Sequence, residues 1–153
     1  MPDWKVNEPN IDLRLHDEPL AYQSSVARVS FQIDYWQRDD RTPETNVFTM
    51  GVGWECSWKS YIATDGSTND TVVLYGAGGG EILFTNLDGT APNYYYNLRM
   101  LSLADTIGNL SGFEVYYPSG AKDVYGFLVT NISGTVSKAY LSQKMDAHGR
   151  TTR

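Results

Sequence analysis

Carboxylates are the first residues in this chain whose types and spacing could do chemistry. Asp39 and Asp40 stand together, Glu44 follows in the same polar run, and Asp34 precedes them. A glycosidase needs two carboxyl groups about 5–9.5 Å apart across a cleft. Here Asp39 and Asp40 sit between Arg38 and Arg41 in a polar segment, 37–46, and this reads as a self-neutralised, solvated loop. The two histidines are His16 and His148. His16-Asp17-Glu18 offers metal-binding side chains, but neither His-x-x-x-His nor His-x-His spacing occurs. The only cysteine, Cys56, excludes an intrachain disulfide and a thiolate cluster, and between Trp54 and Trp58 it reads as inert packing. The glycine-rich run 76–80 leads into Glu81, whereas a phosphate loop needs Lys-Ser/Thr entering a helix, so a hairpin bend is expected. These patterns assign no catalytic residue, no cofactor-binding residue and no metal ligand, and no enzymatic activity is expected.

Aromatic residues are the unusual feature. Trp54, Trp58, Tyr61, Tyr94, Tyr95, Tyr96, Tyr116, Tyr117 and Tyr125 all fall on stretches expected to be strands. Exposed on a sheet, Trp58, Tyr61, Tyr94, Tyr95 and Tyr96 would stack on sugar rings, making carbohydrate a candidate partner. The competing account is that aromatics have high β propensity and fill cross-strand pairs. Asn69-Asp70-Thr71, Asn109-Leu110-Ser111 and Asn131-Ile132-Ser133 fit the glycosylation sequon, a pattern that a Thr-, Ser- and Asn-rich β protein also produces by chance.

The elements that must position these residues follow a period of two. Residues 28–35 set Val29, Phe31, Ile33 and Tyr35 against Arg28, Ser30, Gln32 and Asp34. Ile11, Leu13 and Leu15 alternate with Asp12, Arg14 and His16 in the same way. Further strands are expected over 53–62, 71–75, 81–85, 94–103, 112–117, 123–130 and 136–145. Turn signals at 65–67, 88–90, 118–120 and 133–134 separate them. No apolar stripe of helical period is present. The expectation is an all-β chain of consecutive antiparallel hairpins, forming a twisted sheet, a partial β-shell or a sandwich. Residues 1–27, with Pro2, Pro9 and Pro19, read as an extended N-terminal lead-in, and 28–153 as the β domain.

Composition bounds the partners. The chain has 153 residues and a formal charge of −6, with 12 Lys and Arg against 18 Asp and Glu. That acidity argues against nucleic acid, which needs clustered cations, and against anionic membrane surfaces. No apolar run approaches the roughly 20 residues needed to insert across a bilayer as a helix. The opening Met1-Pro2-Asp3-Trp4-Lys5-Val6 has neither a basic n-region nor an apolar h-region, so no secretory signal is read there.

Four passages, in order, resemble the RHS/YD-repeat family. Gly51-Val52-Gly53-Trp54-Glu55-Cys56-Ser57-Trp58-Lys59-Ser60-Tyr61-Ile62 is similar to the Gly-x-Gly-Trp-x-x-Ser-Trp/Tyr segment that precedes the repeats. Gly78-Gly79-Gly80-Glu81-Ile82-Leu83-Phe84-Thr85 resembles the family's Gly-Gly-Gly-x-x-x-Phe-Thr strand. Tyr116-Tyr117-Pro118-Ser119-Gly120-Ala121 and the strand ending at Phe127 resemble its Tyr-Pro-Asp-Gly hairpin. Met145-Asp146-Ala147-His148-Gly149-Arg150-Thr151-Thr152 is similar to the Tyr-Asp-x-x-Gly-Arg-x-Thr core, with Met145 in place of Tyr. The resemblance implies a non-catalytic scaffold, the part of such a protein entering its first YD repeat at 145–153. Its partners would be downstream repeats of the same polypeptide and an enclosed C-terminal cargo or toxin. It also implies a bacterial protein in an extracellular or cell-envelope location. In the repeat-like turn, Gly149 is expected to take a positive φ and Asp146 to hydrogen-bond the turn backbone, with Arg150 completing the motif.

Overall fold

A computed structural model of the chain describes residues 2–7, 11–23, 28–38, 51–64, 71–77 and 80–153. The fold is all-β: the described residues hold 57% strand, no helix, and three antiparallel sheets, none of them closed into a barrel. Its described contacts divide it into two units, with the division along the chain between Lys59 and Ser60.

The first unit is a four-stranded meander of β1 (Asp3–Asn7), β2 (Asp12–Gln23), β3 (Arg28–Trp36) and β4 (Trp54–Cys56). Pro19 lies within β2 and has no N–H to give to a ladder. The register accommodates it with a bulge: Asp17 faces Ile33 and Leu20 faces Phe31, so two residues oppose one. Cross-strand side chains set the pairing. His16 Nδ1 lies 2.7 Å from Asp34 Oδ1, and the Arg14 guanidinium lies 4.6 Å from the Trp36 ring centre. Gly53 has φ +76°, and a Cβ there would sit 2.6 Å from the Trp36 carbonyl oxygen, so both conformation and space select glycine. Within 1–27, expected as an extended lead-in, Asp3–Asn7 and Asp12–Gln23 are strands. Both are hydrogen-bonded into the same sheet as β3, and the described contacts divide the chain after Lys59.

The second unit contains β5 (Tyr61–Ala63), β6 (Val72–Gly76), β7 (Gly80–Phe84), β8 (Arg99–Ala104), β9 (Leu110–Tyr116), β10 (Lys122–Tyr125), β11 (Phe127–Thr130), β12 (Val136–Tyr140), β13 (Gln143–Met145) and β14 (Thr151–Thr152). One sheet has the order β11-β12-β5-β6-β7 and the other β14-β13-β10-β9-β8. Ile62, Val72, Leu74, Phe84 and Ala139 from the first pack with Met100, Leu110, Phe113, Val115 and Tyr125 from the second in one buried cluster. Two sheets sharing a core make a β-sandwich.

Two sequence segments expected as single strands, 123–130 and 136–145, run as one bent ribbon. Below the bend β10 pairs with β13; above it β11 pairs with β12 in the other sheet. The bend falls at Gly126 and Ser142. Gly126 N donates to Ser142 Oγ at 3.1 Å, Ser142 N donates to the Val124 carbonyl at 2.9 Å, and Ser142 Oγ donates to the same carbonyl at 3.0 Å. Backbone groups that leave one ladder before joining the next are thereby satisfied.

The expected strand over 53–62 is likewise two, β4 and β5, in different units. Ser57 N donates to the Gln32 carbonyl, Ser57 Oγ accepts from Gln32 N, and Lys59 N turns back to the Cys56 carbonyl. Ser60 Oγ donates to the Tyr75 carbonyl at 2.8 Å and lies 2.9 Å from the Tyr125 hydroxyl. These serines act as hydrogen-bonding anchors, not as one face of a strand. The expected strand over 94–103 begins only at Arg99, because Asn93 Oδ1 accepts the N–H groups of Tyr95 and Tyr96 and removes them from any ladder.

The glycines of β9 and its preceding turn differ in what confines them. A Cβ on Gly112 would lie 2.8 Å from the Tyr125 carbonyl oxygen, whereas one on Gly108, at φ +92°, would meet nothing within 4 Å. Urea unfolding is expected to show Gly112→Ala costing about 2–4 kcal/mol and Gly108→Ala about 1 kcal/mol. Equal losses for the two variants would remove close strand packing as the reason for glycine at 112.

Candidate functional site

The described surface concentrates its exposed aromatics on one loop. Tyr94, Tyr95 and Tyr96 are 93%, 87% and 56% exposed. Asn93 holds this loop through both ends of its side chain. Its Oδ1 accepts from Tyr95 N at 3.0 Å and Tyr96 N at 3.2 Å, and its Nδ2 donates to the Leu83 carbonyl at 3.0 Å. On the main chain, Asn93 N donates to the Leu98 carbonyl and Asn97 N donates back to the Asn93 carbonyl. Asn97 completes the turn at φ +52°, a left-handed position that Asn tolerates. The Tyr94 and Tyr95 rings meet edge to face, with centres 5.4 Å apart and planes at 87°.

Facing this loop is β7, the last strand of its sheet, followed by Thr85 and Asn86. Between them lies a groove of about 900 Å³. Tyr94, Tyr95, Tyr96, Glu81, Asn86 and Asn93 are among the residues that line it, and among the described residues lining it there is no Lys or Arg.

The other two residues proposed for stacking, Trp58 and Tyr61, have surroundings of their own. Trp58 is half-buried in the first unit, at the turn after β4. Tyr61 lies on β5, stacked on Tyr75 at 4.7 Å, tilted against Tyr140 at 5.4 Å, with Lys138 Nζ 5.2 Å from its ring centre. Its faces are engaged within the protein. Tyr125 is core, with its hydroxyl pushed upward by burial. Tyr117 donates to Asp123 Oδ2 at 2.8 Å, and burial drives the Asp123 carboxyl above the ordinary carboxylate value. The Tyr116 hydroxyl, bonded to the Glu114 carboxylate, is pushed up to about 12. Of the carboxylates considered for catalysis, Asp34 is paired with His16, and Asp39, Asp40 and Glu44 lie outside the described residues. Among the described residues no group of three His, Cys, Asp or Glu side chains is placed to hold a metal ion.

The turn expected at 146–150 has the anticipated geometry, and the structure places it in a series. Gly149 has φ +79°, Asp146 Oδ1 accepts from His148 N and Arg150 N, and Arg150 pairs back onto the Asp146 carboxylate. The same frame closes β8–β9 at 105–109, where Gly108 N donates to the Asp105 carbonyl and Asp105 Oδ1 accepts from Ile107 N and Asn109 N. It closes β11–β12 at 131–135, with Asn131 Oδ1 accepting from Thr135 N and Gly134 at φ +83°. At 117–121 the backbone frame is retained around Gly120, but Tyr117 stands at the acidic position. Asp/Asn-x-x-Gly is thus the recurring signal, legible in the sequence at 105–108 and 131–134 once the spacing is sought without its flanking Tyr and Arg.

Comparison of the chain with family models, with curated proteins and with solved structures finds no match.

The turn carboxylates carry a pH dependence. Main-chain donation, first from Arg150 N to Asp146 and from Asn109 N to Asp105, holds both carboxyls below the ordinary value of 3.8. A lowered folded-state pKa means stabilisation that is present above the ordinary value and lost as pH falls through the lowered one. Asp146→Asn keeps an acceptor but removes the charge. It is expected to be less stable than the parent near pH 7 and equal to it near pH 2, read from paired thermal melts. A stability difference independent of pH would show that the charge is not what holds the turn.

Proposed function

We propose that this chain is a non-catalytic scaffold: a hairpin-built β domain of the RHS/YD-repeat type, whose role is to carry and extend a β-shell. The supporting observation is the five-residue turn that recurs at 105–109, 131–135 and 146–150 with one hydrogen-bonding frame. Repeat proteins are assembled from such supersecondary units, each burying its apolar side only against its neighbours. Here the units alternate between the two sheets of the sandwich, and the last of them, β13–β14, forms one edge of its sheet. In this reading the free side of β14 receives further hairpins of the same polypeptide, and the shell so extended encloses a C-terminal cargo. The acidic charge fits a domain that engages neither nucleic acid nor membrane.

Hydrogen exchange tests the reading. In the chain alone, amides of Gln143–Met145 and Thr151–Thr152 are expected to exchange far faster than those of β9. In a polypeptide extended by the sequence that follows in its gene, their protection is expected to rise by about a hundredfold, equivalent to about 2.7 kcal/mol. Unchanged protection in the extended chain, or a following sequence without Asp/Asn-x-x-Gly turns, would refute the scaffold reading.

A further inference from the structure

We propose that the groove between β7 and the tyrosine loop is a binding site for a neutral oligosaccharide, with Tyr94 and Tyr95 as its stacking platform. The scaffold role does not account for these rings. Neither belongs to the buried cluster, and both stand almost wholly in solvent on a loop that Asn93 fixes at five points. Asn93 fixes the main chain that carries both rings, so a ligand meets them on a turn that is already formed.

The chemistry of the walls selects the occupant. A tyrosine ring has an apolar face and a polar hydroxyl, which match the C–H face and the hydroxyl rim of a pyranose. Glu81 offers hydrogen-bond acceptors for sugar hydroxyls, and the Asn86 side chain adds a polar amide. With no cation on the walls and one carboxylate present, a sulfated or uronic-acid sugar would be repelled, so the ligand is uncharged. The perpendicular rings leave no pair of parallel ridges of the kind that seat an extended proline-rich peptide. The volume suits a small ligand, and Glu81–Phe84 of β7, extended over about 13 Å, gives room for two or three sugar units. Tyr61, with its ring engaged by Tyr75, Tyr140 and Lys138, takes no part in this site.

The test is an array of neutral oligosaccharides (gluco-, manno-, xylo- and chito-series) probed with the whole chain, followed by calorimetry on the best hexasaccharide. Binding is expected, weakened about tenfold or more by Tyr94→Ala and by Tyr95→Ala, with Tyr95→Phe close to the parent. Both alanine variants should melt with the parent, since the rings lie outside the core. Ile107→Ala, a change at another exposed apolar side chain, should leave affinity unchanged. Absence of binding to every neutral glycan, binding indifferent to both tyrosines, or selection of a proline-rich peptide in their place would overturn the proposal. None of these outcomes bears on the hydrogen-exchange result at β13 and β14.

Discussion

A single ribbon that must serve two sheets is the constraint on which the sandwich depends. Residues 122–130 and 136–145 pair with one another along their length, yet their lower halves belong to one sheet and their upper halves to the other. Every backbone group at the crossing must find a partner outside the regular ladders or stand desolvated at a cost of about 1–3 kcal/mol. Ser142 supplies those partners to Gly126 and Val124, while Ser60 ties the Tyr125 hydroxyl to the Tyr75 carbonyl across the core. Tyr125 and Ala139 can then lie in the same buried cluster although they come from opposite sheets. The remaining hairpins are hung on this frame.

Period-two alternation recovers the all-β class and locates most strands, because each sheet of the sandwich has one buried face. It fails where hydrogen bonding overrides it. Ser57 and Ser60 occupy positions that alternation gives to a strand, yet their hydroxyls stop one sheet and open another. Gly126 and Ser142 interrupt runs whose hydropathy carries straight through, because a bend satisfied by one serine leaves no hydrophobic trace. Tyr94, Tyr95 and Tyr96 have strand propensity, but the decisive residue is the preceding Asn93, whose side chain intercepts their N–H groups.

The candidate sites were legible to different degrees. Asp146 and Gly149 could be placed from residue type alone, since an Asx residue three positions before a left-handed glycine closes a hairpin with bonds wholly inside five residues. That local closure also hides the repetition. The copies at 105–109 and 131–135 share the frame and the glycine but differ from each other at the other four positions, so a motif with flanking residues finds only one. The groove was the least legible feature. It joins β7 to a loop about ten residues away, and aromatic content marked Trp58 and Tyr61 equally, although the fold occupies the ring of Tyr61 with Tyr75, Tyr140 and Lys138.

The bond from Asn93 Nδ2 to the Leu83 carbonyl has a consequence for solubility. An outermost strand offers its unpaired carbonyl and amide groups to any other extended chain, and uncapped edges of this kind seed fibrillar aggregates. Asn93 occupies one of those carbonyls on β7, and the loop it anchors stands beside the strand with three tyrosines directed at solvent. The residue that builds the groove therefore also takes up one of the acceptors through which cross-β growth along this edge would begin.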